Sequence, residues 1–343
     1  MRLLVVTQKV DKNDAVLGFF HNWLLKFADN FDNIIAICLE KGECDLPTNV
    51  QVLSLGKENQ VSRWQYIYKF YRYIWQERKN YDAVFVHMNQ EYVLLGGLFW
   101  RIFSKKIILW RNHPKGNFLT KLAVFLANVV YCTSLDSFTS KFTKTKLMPV
   151  GVDTDLFFRD HNVFRQSKSI LFLSRMAPIK NPDVLLEALF ILKKRNIFFS
   201  ASFIGEPLQK HVHFYQQLKD KTKKYGLEQC VNWLPAVPNW KTPEIYNQFE
   251  IFINLTDSGS LDKTIFEAMA SQALVLTSNS SLSDFLPAIF FIDHNNSADL
   301  AKKLENALSL DSSSLNEYGQ NFRKYVMEVH SLQFLVDKIK INL

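Results

Sequence analysis

Two cations, Arg175 and Lys180, stand five residues apart in a stretch that reads strand, loop, helix. The run 169–174 is apolar and strand-like, and residues 184–192 have helical apolar spacing. Between them, Asn181 suits an N-cap, Pro182 the first helical position and Asp183 the first turn. Paired cations at the mouth of such a unit suit a diphosphate, because charge-assisted hydrogen bonds contribute about 1.5–3 kcal/mol each. Either cation alone would read as a solvated surface charge. A second stretch follows the strand-like run 251–255, where Gly259 and Ser260 precede Leu261, Asp262 and Lys263. Glycine and serine there would let backbone N–H groups at a helix start approach a phosphate. Glu267 lies inside the apolar helical segment that follows, where an unpaired carboxylate is costly and a partner is required. The two cis hydroxyls of a ribose match it well, and a salt bridge to a core-edge Arg or Lys is the plainer alternative.

These residues need elements to hold them. Strand-like runs occur at 3–7, 33–39, 50–55, 83–87, 106–110 and 129–133, and again at 169–174, 198–204, 230–234, 251–255, 273–277 and 289–292. Near-continuous apolar runs alternating with helical patterns predict parallel strands in α/β, doubly wound sheets. Ligands bind such sheets beyond the carboxyl ends of the strands, where both stretches above fall. The pattern restarts after Pro149, Val150, Gly151, Val152 and Asp153, so the domain boundary is expected near residue 151. Two Rossmann-like halves facing a central cleft are the expected plan. A Gly-x-Gly-x-x-Gly fingerprint is absent after the first strand of either half, which argues against an NAD dehydrogenase.

Composition agrees. The 343 residues fit two domains, and 48% hydrophobic content excludes a disordered chain. The longest apolar run, 92–100, is far short of the roughly 20 residues that span a bilayer. The opening apolar run stops at Gln8 and Lys9, so no secretory leader is expected. Four cysteines without a Cys-x-x-Cys pair suggest a reducing, cytoplasmic setting. His211 and His213 form the only close histidine pair and would not share a helix face, so no metal site is expected. The net charge of +8 is uneven. Residues 1–150 carry 20 Lys/Arg against 12 Asp/Glu, while residues 151–343 carry 21 of each. An anionic partner is therefore expected for the first half.

Several of these residues together carry a resemblance. Arg175 with Lys180, Gly205 after a strand, and the stretch ending Phe266, Glu267, Ala268, Met269, Ala270 are similar to a retaining GT-B glycosyltransferase of family four, the glycosyl transferases group 1. Val150 to Phe157 resembles the family's interdomain segment. Thr242, Pro243, Glu244, Ile245 and Tyr246 resemble its short helix before the strand leading to the active site. The resemblance implies a GT-B fold with domains at 1–150 and 151–311, and a helical segment at 312–343 crossing back onto the first domain. It implies that Arg175 and Lys180 hold a donor diphosphate and that Glu267 binds the ribose. Backbone from Leu234 to Val237 would edge the base, and Ser260, Leu261 and Lys263 would approach the phosphates and sugar. Gly205 and Gly18 would admit the donor, although Gly18 could simply relieve crowding at a helix start. No cofactor or metal is implied, since cationic side chains and helix N-termini carry the leaving group's charge. The family's usual first glutamate is replaced by Gly259, and Asp262 is the available substitute carboxylate. His113, after the run 106–110, resembles the family histidine near the transferred sugar, with a satisfied structural histidine as its alternative. His21, His87, Asn89 and Glu91 are acceptor-side candidates.

The compositional outlier is residues 63–79. Seven of the twelve residues 64–75 are aromatic, and five cations with one acid lie between Arg63 and Lys79. Trp64, Tyr68, Tyr71 and Trp75 follow helical spacing beside a polar stripe of Lys69, Arg72 and Gln76. The stretch either packs its aromatic face on a sheet or meets an anionic membrane interface. Nucleic acid is not expected, because no common nucleic-acid module is present. The expected activity is transfer of a sugar from a nucleoside diphosphate sugar to a glycan or lipid-linked acceptor, in polysaccharide or glycolipid biosynthesis, in the cytoplasm or peripherally on the cytosolic membrane face. A nucleotide-sugar epimerase of similar plan and a non-catalytic nucleotide-sugar-binding homologue are the alternatives.

Overall fold

The computed structural model describes residues 1–256, 261–283 and 285–343. The strands are β1 (Arg2–Val10), β2 (Asn33–Lys41), β3 (Val50–Ser54), β4 (Ala83–His87), β5 (Lys106–Trp110), β6 (Val129–Cys132), β7 (Thr145–Leu147), β8 (Gln166–Leu173), β9 (Ser200–Ile204), β10 (Val231–Leu234), β11 (Phe249–Asn254) and β12 (Leu274–Thr277). The helices are α1 (Phe19–Ala28), α2 (Arg63–Gln76), α3 (Gln90–Ile102), α4 (Phe118–Leu126), α5 (Pro182–Lys194), α6 (Val212–Lys224), α7 (Thr242–Gln248), α8 (Lys263–Ala270), α9 (Ser297–Leu308), α10 (Ser312–Tyr325) and α11 (Leu332–Ile341). The chain divides into two compact units. One holds Met1–Asp153, Pro238–Trp240 and Ser331–Leu343, and the other Thr154–Val237 and Lys241–His330. Thus α10 belongs to the second unit and α11 to the first.

The first unit is built on a parallel sheet ordered β3-β2-β1-β4-β5-β6-β7. Its inner strands β1, β2, β4, β5 and β6 are largely buried on both faces, which explains their apolar runs, while the edge strands β3 and β7 are not. Leu3 and Val5 of β1 face α1 and α11, while Leu4 and Val6 face α2, α3 and α4. Trp23 of α1 packs at 5.2 Å, edge-on, against Trp110 of β5, and its indole N–H donates to the Gly151 carbonyl at 2.9 Å. Gly151 has a φ of +75°, and a Cβ there would stand 2.5 Å from Leu335 of α11. Only glycine fits both demands. Beside it, Val152 bridges Ser331 and accepts the Leu332 N–H at 2.7 Å.

The second unit is a five-stranded parallel sheet ordered β10-β9-β8-β11-β12. Its first strand, β8, sits centrally, so the order reverses between β8 and β11. The run 289–292 is not a strand. It forms a 3₁₀ turn at Ala288–Phe290 and one isolated bridge, Thr277 to Phe291. Pro287 precedes the turn, and the Phe290 ring is drawn against Tyr318 of α10 at 4.8 Å. Side-chain burial on α10 has overridden strand propensity there. Among the described residues, no helix is long and apolar enough to cross a membrane.

Candidate functional site

The reversal between β8 and β11 places their carboxyl ends side by side, where doubly wound sheets bind ligands. The loop after β8 carries Arg175 and closes in a 3₁₀ turn, Pro178–Lys180. Lys180 Nζ reaches across to the start of α8, 2.6 Å from Asp262 Oδ2, and donates to the Thr256 hydroxyl at 3.0 Å. Asp262 is the N-cap of α8. Its Oδ1 accepts the Thr264 N–H at 3.4 Å and the Thr264 hydroxyl at 3.0 Å, and its Oδ2 also accepts from Asn254 at 3.2 Å. Burial alone would raise this carboxyl's pKa. The Lys180 charge, with hydrogen bonds from Lys180, Asn254 and Thr264, outweighs it and holds the group well below the usual carboxylate range. Asp262, expected as a stand-in for the family's missing glutamate, is thus engaged as a cap and ion-pair partner.

Asn181 does not cap α5 with its side chain. The turn puts it at φ +51°, left-handed, whereas a capping residue has extended backbone. Its Nδ2 instead donates to the Leu255 carbonyl at 2.9 Å, tying the β8 loop to the β11 loop. Pro182 opens the helix at its first position.

Arg175 is exposed, but its backbone is pinned on both sides. The Ser174 N–H donates to the Ile204 carbonyl at 3.1 Å and the Met176 N–H to the Glu206 carbonyl at 3.1 Å. Among the described residues, the Arg175 guanidinium makes no hydrogen bond or ion pair. Gly205 lies between those two acceptors with φ +143°, and a Cβ on it would sit 1.9 Å from the Ser174 carbonyl oxygen. Gly205→Ala is therefore expected to cost at least about 3 kcal/mol, because strain and collision both fall on the loop carrying Arg175. Thermal melts of the variant check this; an unchanged melt would contradict it.

Glu267 is 2% exposed. Its partner is Tyr246 of α7, whose hydroxyl donates to Oε2 at 3.1 Å. Burial, then the Glu267 carboxylate, push the Tyr246 phenol far above its ordinary pKa, so it remains a donor. Half-buried Arg165 braces both helices. It donates to the Ser271 and Gln272 carbonyls beyond α8, each at 2.8 Å, and to the Asn247 carbonyl of α7 at 3.3 Å. Desolvation lowers its pKa to about 10. The sequence reading asked for a partner for Glu267 without identifying Tyr246, and it missed Arg165, Asn254 and Thr256. A usable signal existed for Asn254, a polar residue directly after the apolar run Ile251, Phe252, Ile253.

Leu234 ends β10 and its carbonyl accepts the Gly205 N–H at 3.1 Å; Val237 is half-buried in the loop beyond. Leu261 is half-buried, and Lys263 opens α8. Gly259 and Ser260 lie outside the described residues. Within this unit, Arg175, Lys180, Gly205, Asp262 and Glu267 thus sit on elements tied to the central strands' carboxyl ends.

In the first unit the candidates have separate environments. Gly18 precedes α1, where a Cβ would stand 2.4 Å from the Asp14 carbonyl oxygen and 3.1 Å from that of Lys12, so crowding accounts for the glycine. His21 of α1 is buried. Its Nε2 accepts the Asp45 N–H at 3.1 Å, and desolvation lowers its pKa, which favours the neutral ring that this bond needs. His87, 1% exposed, stacks on Phe20 at 4.3 Å with Nδ1 3.2 Å from the Thr7 hydroxyl. These two histidines are held within the α1 packing layer. Asn89 donates to Gln8, and Glu91 is exposed in the first turn of α3. His113 is exposed after β5, and its Nδ1 accepts the Lys115 N–H at 3.0 Å.

Known proteins resemble this chain in sequence or fold. Mannosylfructose-phosphate synthase of Agrobacterium fabrum is 28% identical over 137 residues, 36% of this chain and 30% of that protein. The match therefore spans less than a third of that relative's length. The structure of Anabaena Alr3699/HepE in complex with UDP-glucose aligns with a TM-score of 0.79 at 15% identity, covering 100% of this chain and 99% of that one. Sucrose-phosphate synthase from Thermosynechococcus elongatus gives 0.76 at 12% identity, covering 100% and 98%. At such identities the alignments establish the fold, which is GT-B. The family model of the glycosyl transferases group 1 matches residues 153–325, just over half of the chain and nearly all of the second unit. Its span includes the Lys180–Asp262 pair and the Glu267–Tyr246 pair, and on that match the chain belongs to the glycosyl transferases group 1.

Proposed function

We propose that this chain transfers a sugar, with retention of anomeric configuration, from a nucleoside diphosphate sugar to a glycan or lipid-linked acceptor. The observation that carries the reading is an exposed Arg175, whose guanidinium makes no hydrogen bond or ion pair among the described residues, in the same loop as a Lys180 held at the switch point by Asp262. Arg175 and Lys180 would take the diphosphate, and Glu267, oriented by Tyr246, the ribose hydroxyls. The bond from the sugar's anomeric carbon to the β-phosphate oxygen breaks with its electron pair going to phosphate. The acceptor oxygen bonds to that carbon on the same face, and its proton passes to the departing phosphate. The protein's part is orientation and stabilisation of the leaving group's charge. No metal is assigned to that charge, so transfer should persist in chelator. UDP-glucose in HepE supports a uridine donor.

The test is thermal stabilisation by UDP-, GDP- and ADP-sugars. A donor at about 100 times its Kd adds about 2.7 kcal/mol to the native state. One of the three is expected to raise the melting temperature, and transfer with that donor should give a product of unchanged anomeric configuration by NMR. Absence of stabilisation by all three would overturn the donor assignment. Interconversion of the donor sugar without any acceptor would replace transfer with epimerisation.

A further inference from the structure

The layer formed by α2, α3 and α4 has two apolar sides. Inward, Phe70 and Ile74 of α2, Trp100 of α3 and Val124 of α4 join the core under the sheet. Outward, a second set stands in water: Trp64 at 80% exposure, Ile102 at 77%, Phe118 at 75% and Phe125 at 67%, with Tyr68, Trp75 and Leu98 beside them. The outward residues repeat at helical spacing on each helix, 64, 68, 71 and 75 on α2, 98 and 102 on α3, and 118, 122 and 125 on α4. A helix with so few polar residues is normally buried on most sides, yet α4, apolar except for Thr120 and Lys121, leaves Phe118, Leu122 and Phe125 exposed.

The three helices form one continuous surface. The Tyr71 hydroxyl donates to the Leu95 carbonyl at 2.9 Å, and Trp75 packs on Phe99 at 6.1 Å, joining α2 to α3. Arg101 donates to the Leu126 and Phe125 carbonyls at 2.9 and 3.0 Å, joining α3 to α4. Residues 63–121 hold 11 Lys/Arg against 3 Asp/Glu, a surplus of 8 that equals the net charge of the whole chain. Of these cations, Arg63, Arg72, Lys79, Arg101 and Lys121 are exposed on or beside the same helices.

We propose that the outer face of α2, α3 and α4 docks on an anionic lipid bilayer. Indole and phenol rings suit the headgroup level, the Phe, Leu and Ile tips suit the acyl boundary, and the flanking cations suit lipid phosphates. The charge is what selects this occupant. A self-associating face would bring two copies of the same cations together, and an apolar protein groove would not need them. The inference does not depend on the donor assignment, and it favours the lipid-linked over the soluble acceptor in the activity proposed above.

Co-sedimentation of the full chain with vesicles tests it, without nucleotide. Binding is expected to vesicles of equal parts phosphatidylcholine and phosphatidylglycerol, but not to phosphatidylcholine alone, and to weaken at high salt. Each cation near such a surface is worth about fivefold in partitioning, so reversing Arg72, Lys79 and Lys121 to Glu should lower it by about 100-fold or more. Trp64→Ser with Ile102→Ser and Phe118→Ser should abolish binding that resists salt. These side chains are exposed, so both variants should keep the wild-type melt and the wild-type response to nucleotide sugars; that response reads the donor site separately. No binding to anionic vesicles, or binding unchanged in both variants, overturns the proposal. So does a dimer of the wild-type chain in solution that the serine variant converts to monomer while vesicles remain unbound.

Discussion

Arg175→Ala is expected to slow sugar transfer by about 100- to 1000-fold while shifting the melting temperature by no more than about 1 °C. The two halves of that expectation have separate causes. The guanidinium is exposed and makes no hydrogen bond or ion pair among the described residues, so the folded chain loses nothing with it. The loop itself stays in place, because Ser174 and Met176 hold it by backbone bonds to Ile204 and Glu206. A charged donor aimed at a departing diphosphate matters most when charge has built up there, so the loss should appear mainly in kcat. Arg175→Lys should recover only part of the rate, since an ammonium cannot offer the paired donors of a guanidinium. Initial rates with the donor found by thermal stabilisation measure this, beside a melt of each variant. Unimpaired turnover in Arg175→Ala would remove the phosphate-binding role from this loop.

Lys180→Met should behave differently, losing stability as well as activity. Lys180 and Asp262 are paired at 2.6 Å, with only 16% and 17% of their side-chain surfaces exposed. Removing the cation leaves a carboxylate in a site that cannot hydrate it fully. Loss of one partner of a buried pair costs about 3–5 kcal/mol, and some solvent access places this one near the lower end, a drop of about 10 °C in a unit of this size. Asp262→Asn in the same chain should restore much of the stability, because Asn still caps α8 and carries no charge. It should restore no activity. The pH dependence follows from the sign of the shift. In the wild type Asp262 titrates below its ordinary 3.8, so its contribution is present above that pH and is lost as pH falls through the folded value. In Lys180→Met, burial without the cation raises the carboxyl's pKa. The variant's deficit should therefore shrink as pH falls from neutral toward 4, where the carboxyl is protonated. Urea melts across that range measure the gap. A constant gap would mean that the pair contributes little.

The strands were the most legible part of this chain. β4 and β5 occupy the runs 83–87 and 106–110 that their apolar residues mark out. Parallel strands covered on both faces announce themselves in unbroken Val, Ile and Leu. At 289–292 the apolar run is not a strand: Pro287 acts locally, by its fixed φ and missing N–H, while the contact of Phe290 with Tyr318 of α10 acts through packing that no local pattern shows. The site was half legible. Arg175 and Lys180 were marked by residue type beside an element boundary, and Glu267 as a carboxylate inside an apolar helical segment. The environments of His21 and His87 were not, because a histidine after a strand or inside a helix has the same local pattern whether it meets solvent or a phenylalanine.

By itself, then, the sequence determined what depends on neighbours along the chain. That includes the alternation of strands and helices, the loops that carry cations, and the unequal charge of the two halves. Tertiary structure alone decided who meets whom. Lys180 finds Asp262 across 82 residues because strand order sets β8 beside β11, and Glu267 finds Tyr246 because Arg165 braces the helices that hold them. It also decided which aromatic residues of α2 face outward. Helical spacing defines a stripe, but the sheet chooses which stripe it buries, and it took Phe70 and Ile74 and left Trp64 and Tyr68 in water. Periodicity is a property of a few successive residues, whereas pairing and exposure depend on the path of the whole backbone.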